Sequence, residues 1–406
     1  MVKLLVIADD FTGALDTGVQ FAKQGVKTLV TTDTGIDMQK IDSSIEVLVV
    51  DTETRHMTGV DAYKTVYSLV KKSVAIGIKH IYKKTDSVLR GNIGSELLAV
   101  MDGAGSDKLM FIPAYPDNSR IIVDGVQYVS GVPIAESHFA RDPFNPVINS
   151  YIPDIIKQYT DIETIVVKQD EATDFNKYQG IFIFDAKTND EMIEIGYKLN
   201  CSNQLKLTAG CAGFACILCS LLDFTKSMTG SFDFGDTVLV ISGSVNKTSL
   251  DQMNHLKEAG FKGITLTDEH KLNNNYHDSI HLKKLVGFIK NSLKQKKTAY
   301  IEAVGNESDI IDANQLTITK NIGTAVKQIL DDFPVDNLFI IGGDTLLGIM
   351  EHLEIKQVIP MLELSPGIAL SKAFSDKYSF NLITKSGGFG NKDAVTNVLS
   401  RLINKK

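Results

Sequence analysis

What the 406-residue chain lacks narrows its class before any motif is read. No stretch approaches the ~18 consecutive apolar residues of a membrane span. The opening "MVKLLVIADD" meets paired acids too soon to form a secretory signal, so a cytoplasmic protein is expected. Long basic runs are missing and the net charge is −7, which argues against nucleic acid or an anionic membrane as partner. Small anionic substrates stay open, because they respond to the local field of a cleft. Cysteine is scarce, and Cys201, Cys211, Cys216 and Cys219 all fall within "CSNQLKLTAGCAGFACILCSL". The last three lie in an apolar, Ala-rich helical stretch with no His nearby, so small buried thiols are expected rather than a zinc site or a disulfide framework. There is no G-x-x-x-x-G-K-S/T phosphate loop, no G-x-G-x-x-G after the first strand, no H-E-x-x-H and no nucleophile elbow. An ordinary P-loop enzyme and a nicotinamide dehydrogenase are therefore disfavoured.

What is present is material for two cores. Hydrophobic residues make up 43% and charged residues 22%, and this length exceeds what one core usually supports. Apolar β-branched runs alternate with helical periods from VKLLVIA onward, the pattern of βαβ units and a mainly parallel sheet. The polar, turn-rich "DFTKSMTGSFDFGD" at 223–236 is the best linker, and a second alternating series starts at TVLVISGS. The fold class expected is α/β: two α/β domains with mainly parallel sheets, at 1–225 and 236–406, with a ligand cleft between them that closes on binding. "DGVQYVSGVPIAESHFARDPFNPV" breaks the alternation and reads as a hairpin with an extended excursion, either a binding lid or a packing or dimer arm. A homodimer is compatible with the second choice.

Two adjacent carboxylates, Asp9 and Asp10, follow the first strand in "IADDFTGALD", at the sheet edge where open α/β folds bind ligands. A helix cap accounts for one of them but not both. The same half carries "DTETR" ending at Arg55, "KKTDSVLRGN" from Lys83 to Asn92, and "PAYPDNSR" ending at Arg120. Carboxylates accept bonds from sugar hydroxyls and arginines grip a carboxylate with two bonds, so a polyhydroxy acid suits the mixture; surface ion pairing is the plainer alternative. In the second half, "ISGSVNKT", "IGGDTLLG" and "KSGGFGNKD" each follow a strand. Such glycines let backbone N–H groups approach phosphate, and three loops from one sheet suit a nucleotide, although any one alone suits a tight turn.

Together "ADDFTGA", "KTDSVLRGN", "PAYPDNSR", "ISGSVNKT", "IGGDT", "SPGIA" and "KSGGFG" resemble, in order and across the chain, the four-carbon acid sugar kinases. The resemblance implies an ATP-dependent kinase acting on the terminal hydroxyl of threonate, erythronate or a 3-oxo-tetronate. It places the sugar acid on the N-terminal domain and ATP on the C-terminal one. Asp9, Arg55, Lys84, Asp86, Ser87, Arg90, Asn92 and Arg120 then face the acid, and Ser242, Ser244, Gly342, Gly343, Asp344, Thr345 and Gly387 line the nucleotide. The catalytic candidates are Asp86, Asp9 or Asp10 to orient or deprotonate the hydroxyl, with Arg90 or Lys84 stabilising charge and Mg²⁺ bridging phosphate oxygens. No residue is assigned to the metal. Val88, Ser119 and Asp344 stand where the family commonly has Thr, Gly and Glu, and the Val88 change leaves the substrate's hydroxyl pattern open. The alternatives are a sugar-acid sensor without catalysis and a sugar-phosphate isomerase or aldolase; ATP consumption separates them from a kinase.

Overall fold

Strands covered on both faces need apolar residues at every position, and LLVIA (Leu4–Ala8) and VLVVD (Val47–Asp51) are buried throughout. The computed structural model describes all residues except 143–144, 170, 172, 228–231, 307–314, 386–387 and 405–406. The chain divides into two compact units, Met1–Met228 and Thr229–Lys406.

The first unit opens with β1 (Leu4–Ala8), α1 (Phe11–Ala22), β2 (Thr28–Thr31), β3 (Val47–Asp51), α2 (Gly59–Ala75), β4 (His80–Lys84), α3 (Ile93–Ala104) and β5 (Lys108–Ile112). A three-stranded antiparallel excursion follows, β6 (Arg120–Val123), β7 (Val126–Val129) and β8 (Val132–Pro133). The unit ends with α4 (Ile152–Lys157), β9 (Thr164–Val167), β10 (Gly180–Phe184), α5 (Asn189–Cys201), β11 (Leu207–Gly210) and α6 (Ala212–Leu221). Its main sheet runs β2-β3-β1-β4-β11-β5-β10-β9 and is parallel throughout. Strand order reverses at β1, which lies between β3 and β4, and such a switch point opens a crevice at the carboxyl ends of the strands. Local chemistry starts the helices as well: Thr188 and Glu191 cap α5 reciprocally, and Thr58 accepts the Asp61 amide at the start of α2. α1 is buried on almost every side because it packs on both the sheet and α6.

The second unit contains β12 (Val238–Ser242), α7 (Lys247–Glu258), β13 (Gly263–Thr265), α8 (Asp268–Lys271), α9 (Ile280–Lys296), β14 (Thr298–Glu302) and α10 (Gln315–Asp332). It continues with β15 (Asn337–Ile341), α11 (Gly343–His352), β16 (Gln357–Ser365), β17 (Ile368–Phe374), β18 (Ser379–Lys385) and α12 (Ala394–Asn404). The order is β13-β14-β12-β15-β18-β17-β16. The first five strands are parallel, whereas β17 and β16 add an antiparallel meander. Here β12 is the switch point. Its core joins Val240, Phe339, Ile341 and Ile383 of the sheet to Met253 and Leu256 of α7 and Val395, Val398 and Leu399 of α12.

Of the four cysteines, Cys211 and Cys219 are buried as expected, but Cys201 is exposed at the end of α5 and Cys216 is half-buried. Cys211 occupies the N-cap position of α6 without a side-chain capping bond, its Sγ donating to Ala114 O at 3.4 Å, and burial pushes its thiol up to about 11, which disfavours the reactive thiolate.

Candidate active site

At the switch point of the first unit, three strand ends deliver one charged cluster. Asp9 and Asp10 follow β1, Arg55 follows β3, and Lys84 closes β4 with Asp86 two residues on. Arg55 Nε donates to Asp9 Oδ2 at 2.7 Å and its Nη2 to Asp10 Oδ1 at 2.5 Å, with Asp86 Oδ1 at 3.5 Å. Arg90 grips Asp86 with a fork, Nε to Oδ2 at 2.9 Å and Nη2 to Oδ1 at 3.0 Å. The side chains of Arg55 and Asp9 are only 11% and 2% exposed, so these are desolvated pairs rather than surface pairing. The Gly13 of "ADDFTGA" is required by close approach: a methyl group there would sit 2.4 Å from Asp10 Oδ1 and 2.6 Å from Lys84 Nζ.

Neither aspartate serves as the helix cap. Asp10 occupies the N-cap position of α1 without a side-chain capping bond, and Glu53 Oε1 accepts the Phe11 amide instead, at 3.1 Å. Burial opposes ionisation of Asp9, but the Arg55, Lys84 and Lys83 charges outweigh it and hold the carboxyl below its usual range. Asp86 is driven well below that range against the same burial, by Arg90 and Arg55. Its Oδ2 also takes the Val88 and Arg90 amides, at 3.3 and 3.2 Å. Asp9 differs, since its buried Oδ1 has no hydrogen-bond partner among the described residues.

The remaining sugar-side candidates divide by what they touch. Lys84 is buried, and the Asp9 and Asp10 charges raise its pKa against the desolvation that would lower it. Asn92 turns inward, its amide donating to Thr54 O at 2.8 Å and Met57 O at 2.9 Å, so it braces the Arg55 turn. Ser87 contributes a carbonyl that Gln127 Nε2 of β7 binds at 2.8 Å. Arg120 Nη1 donates to Asn118 O at 2.8 Å; burial lowers its pKa, with the Asp86 charge opposing. Lys83 is fully buried, 3.4 Å from Glu96, and donates to Ile7 O at 3.3 Å and Lys84 O at 3.0 Å.

Sequence reading passed over several neighbours. Asp142 Oδ2 accepts Arg90 Nη1 at 3.1 Å, and the Phe139 ring lies 5.8 Å from the same guanidinium. Both belong to the excursion already marked as a lid or arm by its lack of periodicity, but nothing local indicated which residues would reach Arg90. Asp51 and Glu53 belong to the same "DTETR" turn that ends at Arg55.

In the second unit, the glycine-rich segments after β12 and β15 lie at the carboxyl edge of the sheet. Ser242 is buried at the end of β12, and Gly243 packs so closely on α11 that a methyl there would fall 1.9 Å from Thr345 Oγ1. Gly342 caps α11 with φ 113°, a conformation natural to glycine, and a methyl there would meet the Ser244 amide nitrogen at 3.3 Å. Gly343, Asp344 and Thr345 form the first turn of α11, whose amides have no intrahelical acceptor. Gln315 Nε2 holds Asp344 Oδ2 at 2.7 Å. Ser244 Oγ accepts the Asn246 amide at 3.3 Å. Pairing of Ile368 with Lys385 brings "SPGIA" beside the end of β18, and Gln252 Nε2 ties down the following loop through Phe389 O and Asn391 O, at 3.0 and 2.8 Å. Gly387 lies outside the described residues. Among the described residues, no group of three or more His, Cys, Asp or Glu is placed to hold a metal ion, and no helix is long and apolar enough to cross a membrane.

Comparison with known proteins follows the same division. Residues 4–218 match the model of a sugar-binding N-terminal domain, and residues 239–395 that of a nucleotide-binding C-terminal domain. The chain is 27% identical to a D-threonate kinase of Salmonella typhimurium, covering 98% of both chains. It is 24% identical to a D-erythronate kinase of Heliobacterium modesticaldum, covering 100% of this chain and 98% of that one. A crystal structure from Salmonella typhimurium LT2 shares the fold, with a TM-score of 0.81 at 20% identity and 97% coverage of each chain. With both domain models matched in order and full-length kinase relatives, the chain belongs to the four-carbon acid sugar kinases, phosphotransferases with an alcohol group as acceptor.

Proposed function

We propose that the chain transfers the γ-phosphoryl group of ATP to the terminal (4-) hydroxyl of a four-carbon sugar acid such as threonate, erythronate or a 3-oxo-tetronate. The observation that carries this reading is the buried Oδ1 of Asp9 at the switch point, which has no hydrogen-bond partner among the described residues, beside the Arg55 and Lys84 charges. An ionised carboxylate with a vacant acceptor orients a hydroxyl and takes its proton as the phosphoryl group arrives. Asp10, with its side chain 22% exposed, offers a second acceptor for the sugar. Asp86 has both oxygens engaged, so it aims Arg90 and the loop through Ser87 rather than acting as base. Arg55, Arg90, Lys84 and Arg120 supply the positive field that an anionic acid needs, and Lys84 and Arg90 stabilise charge on the moving group.

On the second unit, the first-turn amides of α11 and the Ser242–Ser244 segment are suited to phosphate oxygens, because the close approach around Gly243 and Gly342 leaves backbone rather than side chains at the edge. Mg²⁺ would neutralise charge on the phosphate oxygens, and since it binds mostly through phosphates and water with one or two carboxylates, Asp344 is a fitting partner. The test is ADP release over a panel of D- and L-threonate, D- and L-erythronate and 3-oxo-tetronates. Turnover with one of them supports the assignment; ATP left intact with every member, in enzyme that binds ATP, rejects it.

A further inference from the structure

Beside the cluster lies a second pair of acids to which the mechanism assigns no role. Asp51 ends β3 and is 1% exposed, and Glu53 follows two residues later in the left-handed region at φ 48°, which non-glycine residues seldom adopt. That turn folds the Glu53 amide back onto Asp51 Oδ1 at 3.1 Å and sends the Glu53 carboxylate to the Phe11 amide at the start of α1. Asp51 Oδ2 is buried and has no hydrogen-bond partner among the described residues. The groups around the pair are Asp10 from the β1–α1 junction, the first turn of α1, and Arg55, which is already committed to Asp9 and Asp10. Asp51 is buried and Glu53 half-buried with Asp10 beside them, so burial and like charge both oppose ionising the two carboxyls together, and a proton held by the pair satisfies the orphaned oxygen.

We propose that Asp51 and Glu53 share one proton, as a positioning pair that clamps the Arg55 turn to α1 and limits negative charge next to the sugar-acid site. Losing that proton would place an added charge beside Asp10 and repel an anionic substrate. Burial pushes both carboxyls upward, Glu53 to about 7, so the loss falls within the working range of pH.

This inference rests on the sugar-acid assignment for its kinetic consequence but not for its chemistry, and the two tests separate them. Infrared difference spectra of the substrate-free enzyme should show a protonated carboxyl band at pH 6 that fades toward pH 8 and is missing in Asp51→Asn, whose amide imitates the protonated acid. A wild-type spectrum without that band overturns proton sharing whatever the substrate is. In kinetics, KM for the active tetronate should rise several-fold from pH 6 to 8 with kcat nearly level, and Asp51→Asn or Glu53→Gln should flatten the rise. Persistence of the rise in both variants overturns the charge-limiting role. Turnover of no tetronate at all refutes the substrate assignment and leaves the infrared result to stand or fall alone.

Discussion

Asp9 and Asp86 are separated in function by what already occupies their oxygens. Asp86 meets the Arg90 fork and two backbone amides, so Asp86→Asn breaks a buried charge pair, an effect of about 3–5 kcal/mol on stability. Its kinetic signature should be a raised KM for the sugar acid as Arg90 loses aim. Asp9→Asn should instead lower kcat by about 100- to 10,000-fold with KM little changed, and because it also breaks the buried Arg55–Asp9 pair it should lose stability on the same scale as Asp86→Asn. Steady-state kinetics on both variants decide the matter: near-normal kcat in Asp9→Asn, with collapse in Asp86→Asn, would move the base to Asp86. Arg90→Lys keeps the charge but loses the planar fork, and a rise of about tenfold or more in KM is expected. Ser119 is the departure from the family pattern with a clear physical meaning, since it holds φ 55° and ψ 34° where the family commonly has glycine. Ser119→Gly should gain up to about 1 kcal/mol in chemical denaturation, because the side chain strains a left-handed turn.

At the scale of elements, the two switch points treat their loops differently. In the first unit the loops after β1, β3 and β4 project side chains, and the charge pattern of "ADD", "TETR" and "TDSVLR" displayed those residues in advance. In the second unit the segments after β12 and β15 present backbone, and glycine is what the sequence shows of them. Gly243→Ala drives a methyl group into Thr345 and should raise KM for ATP while leaving KM for the sugar acid unaltered. Equal disturbance of both constants would mean that the segment serves folding rather than nucleotide binding. The legible signals were local: strand runs, glycine turns and paired acids in a single stretch. The capping of α1 was not legible, because the acceptor comes from Glu53, 42 residues away, and leaves Asp10 for Arg55. Asp142 was hidden for the same reason, since 52 residues separate it from Arg90.

For the whole molecule, proton linkage opposes itself across the pH scale. Asp9 and Asp86 have folded-state pKa values below those of the unfolded chain, so their stabilisation is present above the ordinary carboxylate range and lost on acidification. Asp51 and Glu53 are raised, so the folded state binds the extra proton and stability declines as pH climbs from the unfolded value near 4.5 through about 7. Thermal scans should show the melting temperature of Glu53→Gln gaining on the parent between pH 5 and 8; a constant gap would refute the linkage. The sequence by itself determined the α/β class, the alternation of strand and helix, and which short segments carry charge or glycine, because periodicity and turn chemistry act over a few residues. Only the tertiary structure decided that β11 inserts between β4 and β5, that β1 and β12 are the switch points, and which carboxylate keeps a vacant oxygen. Strand order and ion-pair partners are set by packing between residues far apart in the chain, and no local pattern records that choice.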